Sequence, residues 1–400
     1  MAFPEVQKGS QHLSFYIVGG FLFILIVIGI FYYRARYFTA EINPSAFTEI
    51  MREDQQFSDA VALVQAGDKE GARPILEERL RAAEANGDEE IAGVMKLWLA
   101  LTYSTVSEDI EKLGSYAKTL TEVATNENYH PRTRSYAYAF LGGLYSRLST
   151  ESLLGSSSVL DVIIGNPALK ELSVQKADGS SDYRRSMVAI LKNGASLREN
   201  PFLYSRLASV IVRGIETNQL PNDPESVRKY VEEAVAYIDK AQLVESDLRS
   251  VDTIPLYAEY LFLNAQVLGI VKNIHSGKYA SIVTDNIDEL YATAITVASA
   301  GSDGGIEAAS RYIYSEYLTK LFQIEQSEGK SVDKSALTKK LDEILLPFSE
   351  KASLRSTIMF NSIINAKARA GKNIEIYNTV KRVAQYSPVF ESVLKKYNAL

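Results

Sequence analysis

The sequence predicts an all-α protein: an N-terminal transmembrane helix followed by a run of helical hairpins. Three observations carry that expectation. One uncharged apolar stretch of membrane-spanning length lies near the start. From about Ser45 on, apolar residues recur at steps of three and four. Gly, Pro and Asx breakers cut this periodic run at hairpin intervals, and no alternating strand pattern competes with it.

A short tail, residues 1–12, precedes the span. The stretch Leu13–Tyr33 has 21 residues and no charged side chain, and Arg34 follows it. At about 1.5 Å per residue it covers roughly the 30 Å of a bilayer's hydrocarbon core. A secretory signal has a shorter apolar region and small residues at its cleavage site, whereas here "YYRARYF" places arginines there. Tyr32, Tyr33, Tyr37 and Phe38 beside Arg34 and Arg36 suit the interface between lipid and water. The segment therefore reads as an uncleaved single-pass anchor in the cell membrane. Lys8 is the only basic residue before it, so the arginines that follow favour a cytoplasmic C-terminal domain. Long domains translocate largely regardless of charge, however, and a short tail plus one span is the plan of an exported anchored domain. The expectation adopted is an extracytoplasmic domain. Cysteine is absent, which excludes disulfides, thiolate metal sites, cysteine nucleophiles and a lipid-modified N-terminal cysteine.

Residues 34–50 read as a juxtamembrane linker and 51–400 as the helical domain. In "GIEAASRYIYSEYLTKLFQI" the positions Ile306, Ala309, Ile313, Tyr317, Leu321 and Ile324 draw one apolar stripe. Tyr257, Leu261, Asn264, Leu268 and Val271 draw another. In "NDPES", Asp223 is an N-cap and Pro224 the first helical residue. Further breaks fall at Gly67, Asn86-Gly87, His130-Pro131, Asn200-Pro201, Gly301–Gly305, Gly329 and Gly371-Lys372.

"LALTY" (Leu99–Tyr103) and "LGGLY" (Leu141–Tyr145) repeat a leucine, a small residue and a tyrosine, with the tyrosines 42 residues apart. With Tyr138 the second becomes aromatic-x-x-Leu-Gly-x-x-Tyr, which resembles the first helix of a tetratricopeptide (TPR) repeat. Ala234, Ile238 and Ala241, and more loosely Ala72, Leu76 and Leu80, resemble its second helix. The resemblance covers residues 57–148 and 202–325. It departs from the family in drifting repeat lengths and in the mostly missing closing proline. It implies a TPR-like solenoid, in which small residues let the paired helices approach closely; a generic helical bundle is the other arrangement this periodicity allows. Residues 150–183 interrupt the third hairpin. There "VLDVII", a short β-branched run, lies between a Gly-Ser segment and Gly165-Asn166-Pro167. Such an insertion either carries a binding face, with Val162, Ile163 and Ile164 as candidate partner-binding residues, or is a loop folded back on the groove.

No catalytic, cofactor or metal residue is expected. His12, His130 and His275 are scattered, with no HExxH spacing. No phosphate-binding GxxxxGK[ST] and no nucleophile elbow occur. Adjacent acids such as Asp88-Glu89-Glu90 point in different directions on a helix.

Charge is polarised. Residues 41–90 carry 13 acidic and 5 basic side chains, whereas 351–400 carry 9 basic and 2 acidic. Within the basic end, Lys381, Arg382, Lys395 and Lys396 flank apolar positions and are candidate partner-binding residues. Nucleic acid is not an expected partner, since no recognition motif is present. The function these features predict is a membrane-anchored, TPR-like scaffold for protein–protein interaction, in the assembly or function of a cell-envelope complex. Two alternatives are an enzyme on an α/α helical scaffold and an envelope component that self-associates through its oppositely charged ends. N-terminal sequencing of the protein recovered from membranes should begin at or next to Met1; a start beyond Tyr37 would remove the anchor.

Overall fold

A computed structural model of the chain describes residues 54–66, 68–103, 110–151, 156–248, 254–301, 303–371 and 374–400. The expected tail, transmembrane helix and linker, within residues 1–50, lie outside the described residues, as do Gly67 and Lys372. Among the described residues no helix is long and apolar enough to cross a membrane. Every regular element among them is helical, apart from one isolated antiparallel bridge between Gln175 and Ser181. The chain is all-α, as its periodicity predicts.

In order the α-helices are α1 (Gln55–Ala66), α2 (Lys69–Asn86), α3 (Glu89–Tyr103), α4 (Ile110–Thr125), α5 (Pro131–Glu151), α6 (Ser156–Ile164), α7 (Tyr183–Leu197), α8 (Pro201–Glu216) and α9 (Pro224–Leu243). Then follow α10 (Ile254–Asn273), α11 (Ile287–Ala300), α12 (Gly304–Ser327), α13 (Lys334–Leu345), α14 (Pro347–Glu350), α15 (Ala352–Arg355), α16 (Ile358–Ile364), α17 (Ile374–Tyr386) and α18 (Pro388–Lys396). Their starts are set by side-chain caps. Asp223 accepts from the Ser226 amide at 2.9 Å, and Asn200 from those of Phe202 and Leu203 at 3.0 and 3.1 Å. In both cases proline follows at the first helical position, where its missing N–H costs no hydrogen bond. Gly87, at φ +69°, closes α2 in the left-handed conformation that glycine adopts without penalty.

Consecutive helices pair as hairpins, and the hairpins stack. One row, α3, α5, α8, α10, α12 and α17, packs each member against the next. The second row closes each step: α4 lies on α3 and α5, α7 on α5 and α8, α9 on α8 and α10, α11 on α10 and α12. The first row is therefore enclosed on several sides. This corrects the single-stripe expectation for α12. Of its six stripe residues only Tyr317 is buried, while Glu307, Ala308, Ser310, Tyr312, Tyr314, Ser315, Thr319 and Phe322 are buried around the helix. Along α12 the arc of Ala309, Ile313, Glu316, Lys320 and Gln323 is left half-buried or exposed, whereas hydroxyl residues on the enclosed side have no water to bond. Its small hydroxyl residues bond within the helix instead: Ser315 and Thr319 donate to carbonyls one turn back at 2.9 and 2.8 Å.

The positions picked out by the repeat-like octamers are packing positions. Tyr138, Leu141 and Tyr145 are buried, as are Ala234, Ile238 and Ala241. A β-carbon built on Gly142 would stand 2.6 Å from Arg206 Cγ and 3.0 Å from Leu191 Cδ1. One on Gly194 would fall 2.4 Å from Tyr138 Cγ. So α5 meets α7 and α8 over glycines that leave no room for a side chain.

The "VLDVII" run is the second half of the helix α6. Val159, Leu160, Ile163 and Ile164 are buried, and α6 packs chiefly on α4. Packing of the apolar stripe overrides the weak strand preference of β-branched residues. A short 3-10 turn at Lys170–Leu172 and the Gln175–Ser181 bridge carry the chain on to α7.

Gly142→Leu should overpack this junction and destabilise the fold by about 1–3 kcal/mol, read as a lower melting temperature by circular dichroism. An unchanged or higher value would refute the close contact.

Candidate functional site

The helical stack ends in an irregular wall. At the end of α13, Pro347 starts the single turn α14, and Lys351 separates it from α15. Asp342 on α13 fixes the start of α18, accepting from Ser387 Oγ at 2.6 Å and the Val389 amide at 3.2 Å. Phe348 is fully buried and stacks on Phe360 at 5.8 Å between centroids. Between α14–α15 and α18 these constraints leave a cleft of about 470 Å³. Leu346, Phe348, Val389, Val393 and Tyr397 form its apolar walls, and Arg355 and Lys396 bring two positive charges. Among the described residues no carboxylate lines it. Leu346 and Tyr397 are 42% and 38% exposed, an unusual degree for large apolar side chains facing one depression. Arg355 is held by the carbonyls of Phe348 and Ser349, to which it donates at 3.1 and 2.9 Å.

Of the four cations picked out by sequence, Lys396 lines this cleft, and Lys395 precedes it on the same helix, paired with Glu391 at 2.6 Å. The other two lie elsewhere on α17. Lys381 sits over the Tyr377 ring at 5.6 Å, and Arg382 donates to Thr379 Oγ1 at 2.6 Å. Other members of the basic end are engaged inside the fold. Lys351 contacts Glu307 at 3.0 Å, and Lys367 reaches the terminal Leu400 carbonyl at 2.8 Å. In the insertion, Val162 is 39% exposed, while Ile163 and Ile164 belong to the core. Sequence reasoning passed over Leu346, Arg355 and Tyr397. The available signal was the leucine pair Leu345-Leu346 directly before Pro347, where a helix must stop with apolar side chains at its end.

A second depression lies between α8, α10, α11 and α12. Arg213, Glu216, Gln266, Asn273, Glu316 and Lys320 line it. Arg213 and Lys320 both reach Glu216, at 3.0 and 3.5 Å. Desolvation pushes the Glu316 carboxyl above the usual glutamate range; Glu216 adds to this, while Arg213, Lys320 and Arg382 oppose it. Asn273 is buried, and its Nδ2 donates to the Tyr317 carbonyl at 3.4 Å. At about 40 Å³ the recess has room for a few water molecules and not for an organic substrate. Among the described residues no group of acidic or histidine side chains has metal-site geometry.

No protein-family model, no curated protein and no solved structure matches this chain. Its function is therefore argued from this geometry.

The raised Glu316 carboxyl has a definite pH consequence. Its folded form holds a proton more tightly than the unfolded chain does. The stability linked to Glu316 is thus fully present below the ordinary glutamate value and is lost as pH rises through the raised one. Glu316→Gln should raise the melting temperature at neutral pH and make little difference near pH 4. A variant that is less stable than the parent at neutral pH would show that the carboxylate is held by its cations.

Proposed function

We propose that the protein is a membrane-anchored, TPR-like scaffold that binds other proteins, in the assembly or operation of a cell-envelope complex. The observation that carries this reading is the C-terminal cleft. It has the volume of a ligand pocket, roughly 300–1,000 Å³, yet it is apolar, cationic and free of carboxylates. Such a surface suits a protein segment that presents an apolar side chain beside an acid. The stacked hairpins support the scaffold reading, because each contacts its neighbours and leaves long faces for partners. The TPR likeness rests on the buried Tyr138, Leu141 and Tyr145, on the close approach at Gly142, and on Ala234, Ile238 and Ala241. The anchor rests on the uncharged stretch Leu13–Tyr33, and the extracytoplasmic orientation on the plan of a short tail and one span.

Affinity purification of the full-length protein from detergent-solubilised membranes, with partners identified by mass spectrometry, tests it. Reversing Lys395 and Lys396 to glutamate should leave the melting temperature nearly unchanged, since exposed charges contribute about 0–1 kcal/mol. It should strip away partners that wild type retains at low salt and releases at high salt. Lys381→Glu, outside the cleft, is the control and should change nothing. An identical partner set from the reversed variant would reject the cleft and direct attention to the Val162 face.

A further inference from the structure

Leu243 is the most exposed large apolar side chain among the described residues, at 82%, although Ala241 two positions earlier is fully buried. It is the last residue of α9, so it stands at the tip of a hairpin arm. One turn earlier, on the same face, lies the exposed Asp239. That carboxyl is pushed up by partial desolvation and by the like charge of Asp285, which marks a local surplus of negative charge. The nearest cation on the helix, Lys240, lies over the Tyr237 ring at 5.5 Å. The result is an apolar tip with an acidic flank.

The C-terminal cleft has the opposite character: apolar walls, a cationic rim from Arg355 and Lys396, and no acid. Tip and cleft belong to one chain but to different helices, α9 and the α14–α18 wall, and the cleft has ample volume for a leucyl side chain. We infer that Leu243 of one copy seats in the C-terminal cleft of a second copy, with Asp239 facing Lys396. The contact joins two unlike surfaces, so a single contact leaves the first copy with a free cleft and the second with a free tip. Depending on how tip and cleft are placed, the contact closes reciprocally into a two-fold pair or continues from copy to copy into a ring or an open chain. The inference rests on the docking role proposed above for the cleft and names its occupant.

Sedimentation velocity of the full-length protein in a nonionic detergent, over a range of protein concentrations, tests it. Wild type should form dimers or larger species at low salt and fewer of them at high salt. Leu243→Ser should weaken association roughly tenfold or more, the effect of losing one buried leucine. Asp239→Lys and Lys396→Glu should each weaken it, and the two combined should restore it, an outcome that a merely destabilised protein would not produce. Circular dichroism should show all variants folded, since the substituted side chains are exposed. A wild type that stays monomeric at every concentration, or a Leu243→Ser variant that associates like wild type, would overturn the inference. If partner capture by the cleft persists in that case, the scaffold reading survives; if charge reversal in the cleft leaves capture unchanged as well, both readings fall.

Discussion

Arg206 is the side chain on which the first row of helices converges. It projects from α8, its Cγ fills the space that Gly142 of α5 leaves open, and its guanidinium pairs with Glu259 of α10. The same guanidinium lies over the Phe202 ring at 5.3 Å. Three successive members of the row thus meet on one residue that is 7% exposed. A charge so enclosed is costly unless it is paired, and removing either the glycine or the glutamate would leave it crowded or uncompensated. This arrangement stands where α5, α8 and α10 meet and joins their apolar packing.

Neighbouring junctions use the same solution. Arg184 of α7 donates to the Val210 carbonyl of α8 at 2.9 Å and to Gln219 beyond it, while its guanidinium covers the Tyr145 ring of α5 at 4.8 Å. Farther along, the buried Glu307 of α12 accepts from Arg311 and from Lys351, and Arg311 also reaches the Ile344 carbonyl at the end of α13. Long cationic side chains suit these places because their stems pack like aliphatic residues, while their heads satisfy polar groups from two or three helices. They also join consecutive hairpins without needing a repeat of constant length. That is consistent with a stack whose units drift in size.

These internal roles alter the meaning of the charge polarity. The basic surplus of residues 351–400 looks in sequence like one surface. In the fold Lys351 braces Glu307, Lys367 holds the chain terminus, and Lys381 and Arg382 sit on α17 away from the cleft. What remains at the end wall is small: Arg355 and Lys396 beside apolar side chains. Its character comes as much from the missing carboxylates as from the cations, because an apolar depression with uncompensated positive charge selects its occupant by sign.

Much of the architecture was legible in the residues. Period-3.6 apolar spacing, Asx caps before proline, and glycine breaks specify helices and their ends through local sterics and hydrogen bonding, which act within a few residues. The octamer around Gly142 likewise announced a close helix contact, because glycine in a helix interior is unfavourable unless proximity requires it. Tertiary structure alone decided the rest. It turned the β-branched "VLDVII" into a helix, by offering its apolar stripe a partner in α4. It buried a wider arc of α12 than the single apolar stripe, so that stripe counting misjudged its inner face. It brought Leu346 and Arg355 beside Lys396 and Tyr397, about forty to fifty residues farther along the chain, to make the cleft. Such a site depends on where helices stop against one another, and that is set by the volumes and charges of distant side chains rather than by any local pattern.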